Sequence, residues 1–415
     1  MKLVVQILLI VMVILMSEKT FAAIEIVDER ATADYWTRRN LNGDEIILSA
    51  QEISRLNAQI RRNDAYAADL ANFPQKISAA MLKARIAKAT NDVGIDDLQV
   101  GMENRNVDAI SGDVKILYAV TLERADVRIL PVSWSGDLYD PLQGTAIDPA
   151  EPVAVMWEST DGKFVFAQSR NYFGWIAKDK LGFTTREIWQ TYIKPKNFIV
   201  VTANKKTVEV DGKNILFQMG AVIPLAKNVD DKNFWLAKIP TSDGKNFCEV
   251  TVKIQKDDTV QKNFLPCTTN NFIRQSFKFL GDVYGWGGLM ESVDCSAFTS
   301  DIYRSMGIEI PRDADRQEKF LPKVATLNSQ SYDERLNILR RSPTGALLHK
   351  KGHVLLLLGS DDAGTPIAIH AASSYYLDDK KIYVRRILVS ALDYPNDYGV
   401  YTVENLTGIT FPKKF

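Results

Sequence analysis

Hydrophobic positions along the chain change their spacing twice. From residue 24 to about 120 they recur at helical intervals. Ser49 and Glu52 have the spacing of a capping box, in which the serine accepts from an orphan N–H and the glutamate bonds back, and Ile53, Leu56 and Ile60 follow at helical steps. Pro74 interrupts, and Ile77, Met81 and Ala84 predict a further helix before Gly94. From about 121 the pattern becomes short strand-like runs, at 127–131, 153–157, 163–167 and 171–176, separated by turn signals at Ser135-Gly136-Asp137, Asp148-Pro149 and Asp161-Gly162. A second set, at 198–201, 207–210, 234–239 and 248–254, follows a separator over 183–196 that ends around Pro195. Evenly spaced short strands predict small barrels. One larger sandwich is the alternative, and the separator favours two barrels. The last region is α+β, with helices over 270–281 and 295–306 and strands at 353–358, 366–370, 382–388 and 399–403. The expectation is therefore a multidomain chain: a helical N-terminal region (23–120), two small all-β barrels (121–195 and 196–267) and an α+β C-terminal domain (268–415).

Residues 1–22 stand outside this fold. Lys2 precedes an apolar run over 3–16 broken only by Gln6, and Thr20 and Ala22 suit the small-residue positions of a cleavage site. The run is shorter than the ~20 residues that span a bilayer, so a secretory signal is expected rather than a membrane anchor, placing the protein outside the cytoplasm, periplasmic or secreted. Lys+Arg and Asp+Glu each number 51 among 415 residues, which leaves no basic surplus for a nucleic-acid backbone. Three cysteines make no disulfide scaffold. An exported chain permits disulfides, and Cys248 with Cys267 is the pair to test, leaving Cys295 over.

Chemistry concentrates in Tyr284-Gly285-Trp286-Gly287-Gly288 followed by Asp294-Cys295-Ser296. Turn-forming glycines lead into a helix whose first turn holds a cysteine, and the positive helix N-terminus favours a thiolate. A buried structural cysteine is the plain alternative. All three histidines lie C-terminal to Cys295. His353 opens an apolar run and His370 ends another, so two neighbouring antiparallel strands would make His353 the general base and His370 the residue that orients its ring. His349, beside Lys350 and Lys351, reads as a solvent-exposed or capping residue. A zinc set of Cys295, His349, His353 and His370 would need His349 and His353 on one helix face. The apolar residues after His353 read instead as a buried strand.

Residues 270–405 resemble the NlpC-type cell-wall cysteine peptidases, through Tyr284 to Gly288, Asp294-Cys295-Ser296, Ile310-Pro311-Arg312-Asp313, Gly352-His353-Val354, Gly359 and Ile369-His370-Ala371. Upstream, Arg128-Ile129-Leu130-Pro131, Pro141-Leu142-Gln143, Glu158 to Gly162 and Tyr172-Phe173-Gly174-Trp175 resemble the first bacterial SH3-like domain of multidomain members. Gly220 to Leu225 is similar to part of the second, and the helical region is similar to the members' stabilising domain. The resemblance implies a papain-like fold and hydrolysis of the amide between γ-D-glutamate and an L-diamino acid, in fragments with a free N-terminal L-alanine. It implies a catalytic set of Cys295, His353 and His370. Asp294 and Ser296 would hold the substrate, with Asp294 on the free amine and Tyr172 closing that end, and Arg312 and Asp313 would contact the substrate, Arg312 forking onto a carboxylate. Tyr284 and Trp286 complete the candidate binding set. Two departures touch the substrate contacts: Ala314 stands where a serine often follows the Arg-Asp pair, and Gly345-Ala346 replaces a usual Gly-Asp.

The expected function is a thiolate peptidase acting on murein peptides, with no metal or organic cofactor, no nucleic-acid partner and no membrane span once the signal is removed. An endopeptidase on intact cross-linked wall is one alternative. A non-enzymatic wall-binding protein is another, disfavoured by retention of all three catalytic side chains.

Overall fold

The computed structural model describes residues 25–91, 99–133, 139–226, 231–244, 246–377, 380–392 and 400–413. The expected signal segment 1–22, the expected turn at Ser135-Gly136-Asp137, and Gly94 and Gly399 lie outside the described residues. The chain forms two compact units. One holds the chain through Ile47, Cys267–Tyr284 and Leu321 onward, and the other holds Leu48–Pro266 and Gly285–Phe320.

The first unit is built on a six-stranded antiparallel sheet, in the order Lys323–Thr326, Leu406–Thr410, Leu347–Lys350, His353–Ser360, Pro366–Leu377, Lys380–Ala391. Val354 through Leu358 are at most 1% exposed. Such a continuous run, rather than an alternating one, marks a strand covered on both faces. Helix Thr269–Phe277 starts where Thr268 accepts from the Asn271 N–H at 3.1 Å. The strand expected at 399–403 is displaced. Thr402–Asn405 is a short 3-10 turn, because the Glu404 carboxylate accepts from the Tyr401 N–H at 2.8 Å, and the strand follows at Leu406–Thr410. Residues 25–47 belong to this unit: the Ile26 N–H donates to the Val389 carbonyl at 2.9 Å, and the buried Trp36 indole donates to the Arg30 carbonyl at 2.7 Å.

In the second unit, helix Ala50–Asn63 carries both halves of the Ser49/Glu52 capping box and buries Leu56 and Ile60. It ends at Asn63, capped by Asp64, well before Pro74. Helix Ala79–Asn91 exists as expected, but the other face is buried. Leu82, Ile86 and Ala89 enter the core, Met81 is 61% exposed, and Ile77 lies in the short strand Lys76–Ser78. An aromatic core that includes Phe73, Phe166, Phe173, Trp175 and Trp189 decides which face turns inward.

A seven-stranded antiparallel sheet follows, in the order Gln143–Ile147, Ala125–Arg128, Phe173–Ala177, Phe164–Gln168, Pro152–Glu158, Leu117–Thr121, Leu181–Thr184. Helix Arg186–Ile193 falls in the expected separator and buries Trp189, Tyr192 and Ile193. Beyond it, three strands (Val222–Pro224, Phe198–Val201, Val260–Lys262) and two hairpins (Lys205–Val210 with Lys213–Gln218, Phe234–Ser242 with Phe247–Gln255) surround a separate core that includes Ile199, Phe217, Ile239 and Ile254. The architecture is thus a helical N-terminal part, a β-rich region and an α+β C-terminal part.

Cys248 and Cys267 both remain thiols. Cys248 is half-buried opposite Thr241 in its hairpin, and Cys267 is buried with its carbonyl accepting from the Ile47 N–H at 2.8 Å. Among the described residues no helix is long and apolar enough to cross a membrane.

Candidate active site

The candidate residues fall into two groups, one in each unit. In the second unit, Cys295 is the first residue of helix Cys295–Ser305 and is 7% exposed. Phe298 and Ile302 anchor the helix in the core. Asp294 is the N-cap, its Oδ1 accepting from the Ala297 N–H at 2.8 Å. That bond satisfies one of the helix's orphan donors and adds a negative charge at its positive end.

Asp294 does more than cap. Its Oδ1 also accepts from Ser296 Oγ at 3.2 Å and Arg312 Nη1 at 3.1 Å, and its Oδ2 accepts from Arg312 Nη2 at 2.7 Å and the Gly287 N–H at 3.0 Å. Five donors therefore occupy a carboxylate that offers about four lone-pair sites. Burial acts to raise its pKa, yet the charge of Arg312 and these hydrogen bonds outweigh it and hold the carboxyl below its ordinary range. Arg312 is shifted upward: burial opposes its charge, but Asp294 prevails. The guanidinium is locked on its other edges too, Nη1 donating to Ser296 Oγ at 2.8 Å and Nε to Thr145 Oγ1 at 2.7 Å. The fork expected to grip a substrate carboxylate is thus engaged by Asp294, and the carboxylate expected to hold a substrate amine is engaged by Arg312.

The loop before the helix is shaped by strand Gln143–Ile147. Gly287 and Gly288 have φ of +57° and +89°. A Cβ on Gly287 would lie 2.6 Å from Gln143 Cγ, and one on Gly288 would lie 2.8 Å from Ala146 Cβ. Both positions require glycine for backbone conformation and for this close approach. Gln143 Nε2 donates to the Gly287 carbonyl at 3.2 Å. A cavity of about 80 Å³ opens here, lined in part by Thr145, Asp148, Asp301, Arg304 and Arg312. Burial pushes the Asp301 carboxyl up to about 7 in spite of Arg304.

In the first unit, His353 starts strand His353–Ser360, and His370 lies in its antiparallel neighbour Pro366–Leu377. His353 Nε2 and His370 Nδ1 are 2.8 Å apart, and the rings meet edge to face at 5.0 Å. His370 Nε2 lies 3.2 Å from Ser390 Oγ on the next strand. Burial, and secondarily its histidine neighbour and Lys350, holds His353 well below its ordinary pKa. Burial, with Lys350, pushes His370 down to about 3. Both imidazoles are neutral at pH 7, the form that accepts a proton. Their native values lie below the unfolded value of about 6.5. The unfolded chain therefore takes up protons first as pH falls, so the stability this pair contributes is complete above about 6.5 and is lost toward lower pH. Imidazole chemical shifts are expected to show both rings titrating below the ordinary histidine range, and a midpoint near about 6.5 for either would contradict this.

His349 is a correction: it is 1% exposed, and its Nε2 is 2.8 Å from Thr410 Oγ1, because its strand Leu347–Lys350 is interior to the sheet. The structure does not group it with the other two histidines. Tyr172 is half-buried, with its ring against Gly144 and 5.3 Å from the Tyr66 ring, and it bears electrostatically on Arg312. Trp286 packs against the 57%-exposed Tyr139 at 4.8 Å between centroids. Asp313 is half-buried, its carbonyl accepting from the Arg316 and Gln317 N–H groups. Tyr284 belongs to the first unit, its N–H donating to the Arg385 carbonyl at 2.8 Å.

Two polar residues at these groups, Thr145 and Ser390, have no place in the sequence reading, and Gln143 enters it only within the SH3-like resemblance, with no role at the site. Thr145 and Ser390 are each a polar position on a strand with a partner distant in sequence, so nothing local marks them. Ser390→Ala is expected to lower turnover about three- to tenfold by freeing the His370 ring, with KM unchanged, in steady-state kinetics.

Residues 281–380 match the NlpC/P60 family, and residues 134–177 match an SH3 domain of the SH3b1 type. The NlpC/P60 match takes in Cys295, His353 and His370. Among curated proteins it is 29% identical over 184 residues to the γ-D-glutamyl-L-lysine dipeptidyl-peptidase of Bacillus subtilis (strain 168), a match covering 43% of this chain and 56% of the relative. The matched part thus spans little more than half of that relative. Among solved structures, an NlpC/P60 endopeptidase from Photobacterium damselae subsp. piscicida aligns with TM-score 0.71 and 17% identity, covering 93% of this chain and 96% of its own. An NlpC/P60 family protein from Bacillus cereus ATCC 10987 aligns with TM-score 0.51 and 19% identity, over 71% of this chain and 99% of its own. At those identities the two structures speak to fold alone. The chain is thus similar to NlpC/P60 proteins over residues 281–380 and to SH3b1-type domains over residues 134–177.

Proposed function

We propose that this protein is an exported NlpC/P60-type cysteine peptidase that hydrolyses the amide between γ-D-glutamate and an L-diamino acid in cell-wall peptides. The observation that carries the reading is Cys295 at the first position of an eleven-residue helix, inside the family-matched stretch. The bond assignment draws support from the printed activity of the Bacillus subtilis relative. Cys295 attacks the γ-glutamyl carbonyl as thiolate. His353 takes the thiol proton through Nδ1, the nitrogen that His370 does not engage, and delivers it to the leaving amine as the C–N bond breaks. With His353 Nε2 protonated, the proton chain runs from His353 to His370 Nδ1 and from His370 Nε2 to Ser390 Oγ, which fixes both tautomers. The Cys295 N–H faces the developing oxyanion. Water, deprotonated by His353, then splits the thioester and returns the thiol.

The resemblance favours a fragment with a free N-terminal L-alanine. One observation favours intact wall instead: the Asp294 carboxylate, the candidate partner of that amine, already accepts five hydrogen bonds. Hydrolysis of L-Ala-γ-D-Glu-diaminopimelate, and of its lysine counterpart, followed by mass spectrometry with the amine free or acetylated, separates the two. Cleavage of the free peptide only selects the fragment reading. Equal cleavage of both selects the wall reading, and cleavage of neither peptide nor purified murein overturns the assigned bond.

A further inference from the structure

The donors around Asp294 are held from a single β-strand. Arg312, 6% exposed, uses its Nε on Thr145 Oγ1 at 2.7 Å while its two Nη atoms grip Asp294 and Ser296. Gly287, the other donor to Asp294 Oδ2, has its carbonyl held by Gln143 Nε2. Gln143 and Thr145 flank Gly144 on strand Gln143–Ile147, where the register shifts against Ala125–Arg128, and both side chains reach the groups that hold Asp294. Both are buried, at 2% and 4% exposure. Gln143 is itself braced by Asp126 Oδ1 at 2.7 Å and by the Thr145 carbonyl at 3.0 Å, and strand Ala125–Arg128 pairs Val127 with Thr145. The guanidinium is planar, and donating in three directions fixes both its position and its rotation.

Thr145 is the contact on which that rotation depends. Without its oxygen, a buried Nε–H is left unpaired. The guanidinium then tilts to recover a partner, and the paired Nη bonds to Asp294 cannot all survive the tilt. Asp294 is the N-cap of the helix that begins at Cys295, so its displacement moves the first turn.

We infer that Thr145, in the strand-rich region matched as an SH3 domain, is a positioning residue for the nucleophile: through Arg312 it sets Asp294 and thereby the first helical turn at Cys295. The inference rests on the reading of Cys295 as the nucleophile. It gives the β-rich region a part in catalysis beyond binding.

The test compares Thr145→Ala with Thr145→Ser in the full chain, since the two differ only by the hydroxyl. Two readouts are taken. One is kcat and KM on the γ-glutamyl tripeptide. The other is the pH midpoint of Cys295 alkylation by iodoacetamide, followed by mass spectrometry of the Cys295 peptide, which needs no substrate. The alanine variant is expected to lose roughly tenfold in kcat, with KM within about twofold, and to shift the alkylation midpoint upward. The serine variant is expected to return both to within about twofold of the parent. If the alanine variant is misfolded by its urea midpoint, Thr145→Val against Thr145→Ser replaces it. Equal behaviour of the hydroxyl-bearing and hydroxyl-less variants in both readouts overturns the inference. If the parent cleaves no tripeptide, the proposed bond fails while the alkylation comparison still decides the role of Thr145.

Discussion

Cys295→Ala is expected to abolish hydrolysis of γ-glutamyl-diamino acid peptides, a loss of at least about 10⁴-fold in kcat, while leaving the protein folded. The size follows from what is removed. The reaction divides one difficult step into two through a thioester, and alanine cannot form it. The residual rate comes only from binding and oxyanion donors. The fold is spared because Cys295 is a small side chain at a helix start. Alanine has high helix propensity there, and the helix stays anchored by Phe298 and Ile302 and capped by Asp294. The measurement is progress curves with parent and variant at matched concentration, with circular dichroism and a urea midpoint for the fold. Cys295→Ser extends it, since a serine hydroxyl ionises far less readily than a thiol, and its expected rate lies close to that of alanine. Cys248→Ser serves as the control, because Cys248 sits on a hairpin far along the chain and is expected to leave turnover unchanged. Turnover by the alanine variant within tenfold of the parent would remove Cys295 from the mechanism.

What could be read from the sequence at this site was whatever local physics determines. Ser49/Glu52 is a cap recognisable within four residues and caps as expected, whereas Asp294, expected to hold substrate, is found to cap the helix at Cys295. The apolar runs after His353 and before His370 can only be interior strands, and their adjacency brings the two rings together. Residues whose partners lie elsewhere were opaque. Arg312, expected to fork onto a substrate carboxylate, is buried, and one of its partners, Thr145, lies more than a hundred residues upstream. His349 beside two lysines reads as exposed, yet its strand is placed inside the sheet by Leu406–Thr410 from near the end of the chain. In helix Ala79–Asn91 the period was legible and the buried face was not, because two faces carried apolar residues and only the aromatic core chooses between them. Cys248 with Cys267 is only a pair to test from sequence, because pairing is a matter of geometry, and both are free thiols.

Arg312→Met is expected to destabilise the protein by about 3–5 kcal/mol, the usual cost of leaving a buried charge uncompensated, and to reverse the pH dependence that Asp294 contributes. In the parent, the native Asp294 pKa lies below its unfolded value of about 3.9. Between those two values the unfolded chain binds more protons than the native one, so stability rises with pH. This contribution is complete above the unfolded value and is lost as pH falls through the native one. Without Arg312 the burial of Asp294 is opposed only by the remaining hydrogen bonds, and its native pKa moves above the unfolded value. The native state then holds the extra proton, and the variant loses stability as pH rises across that window. Urea midpoints from pH 3 to 7 measure both slopes after subtraction of a common background. A parallel pair of curves would show that Arg312 does not set the charge state of Asp294. Adding Asp294→Asn supplies the second half of the argument. Asparagine keeps an N-cap acceptor without the charge, so the double variant is expected to be more stable than Arg312→Met alone. The coupling between the two positions, read from the double-mutant cycle, measures how far each charge is buried on the other's account.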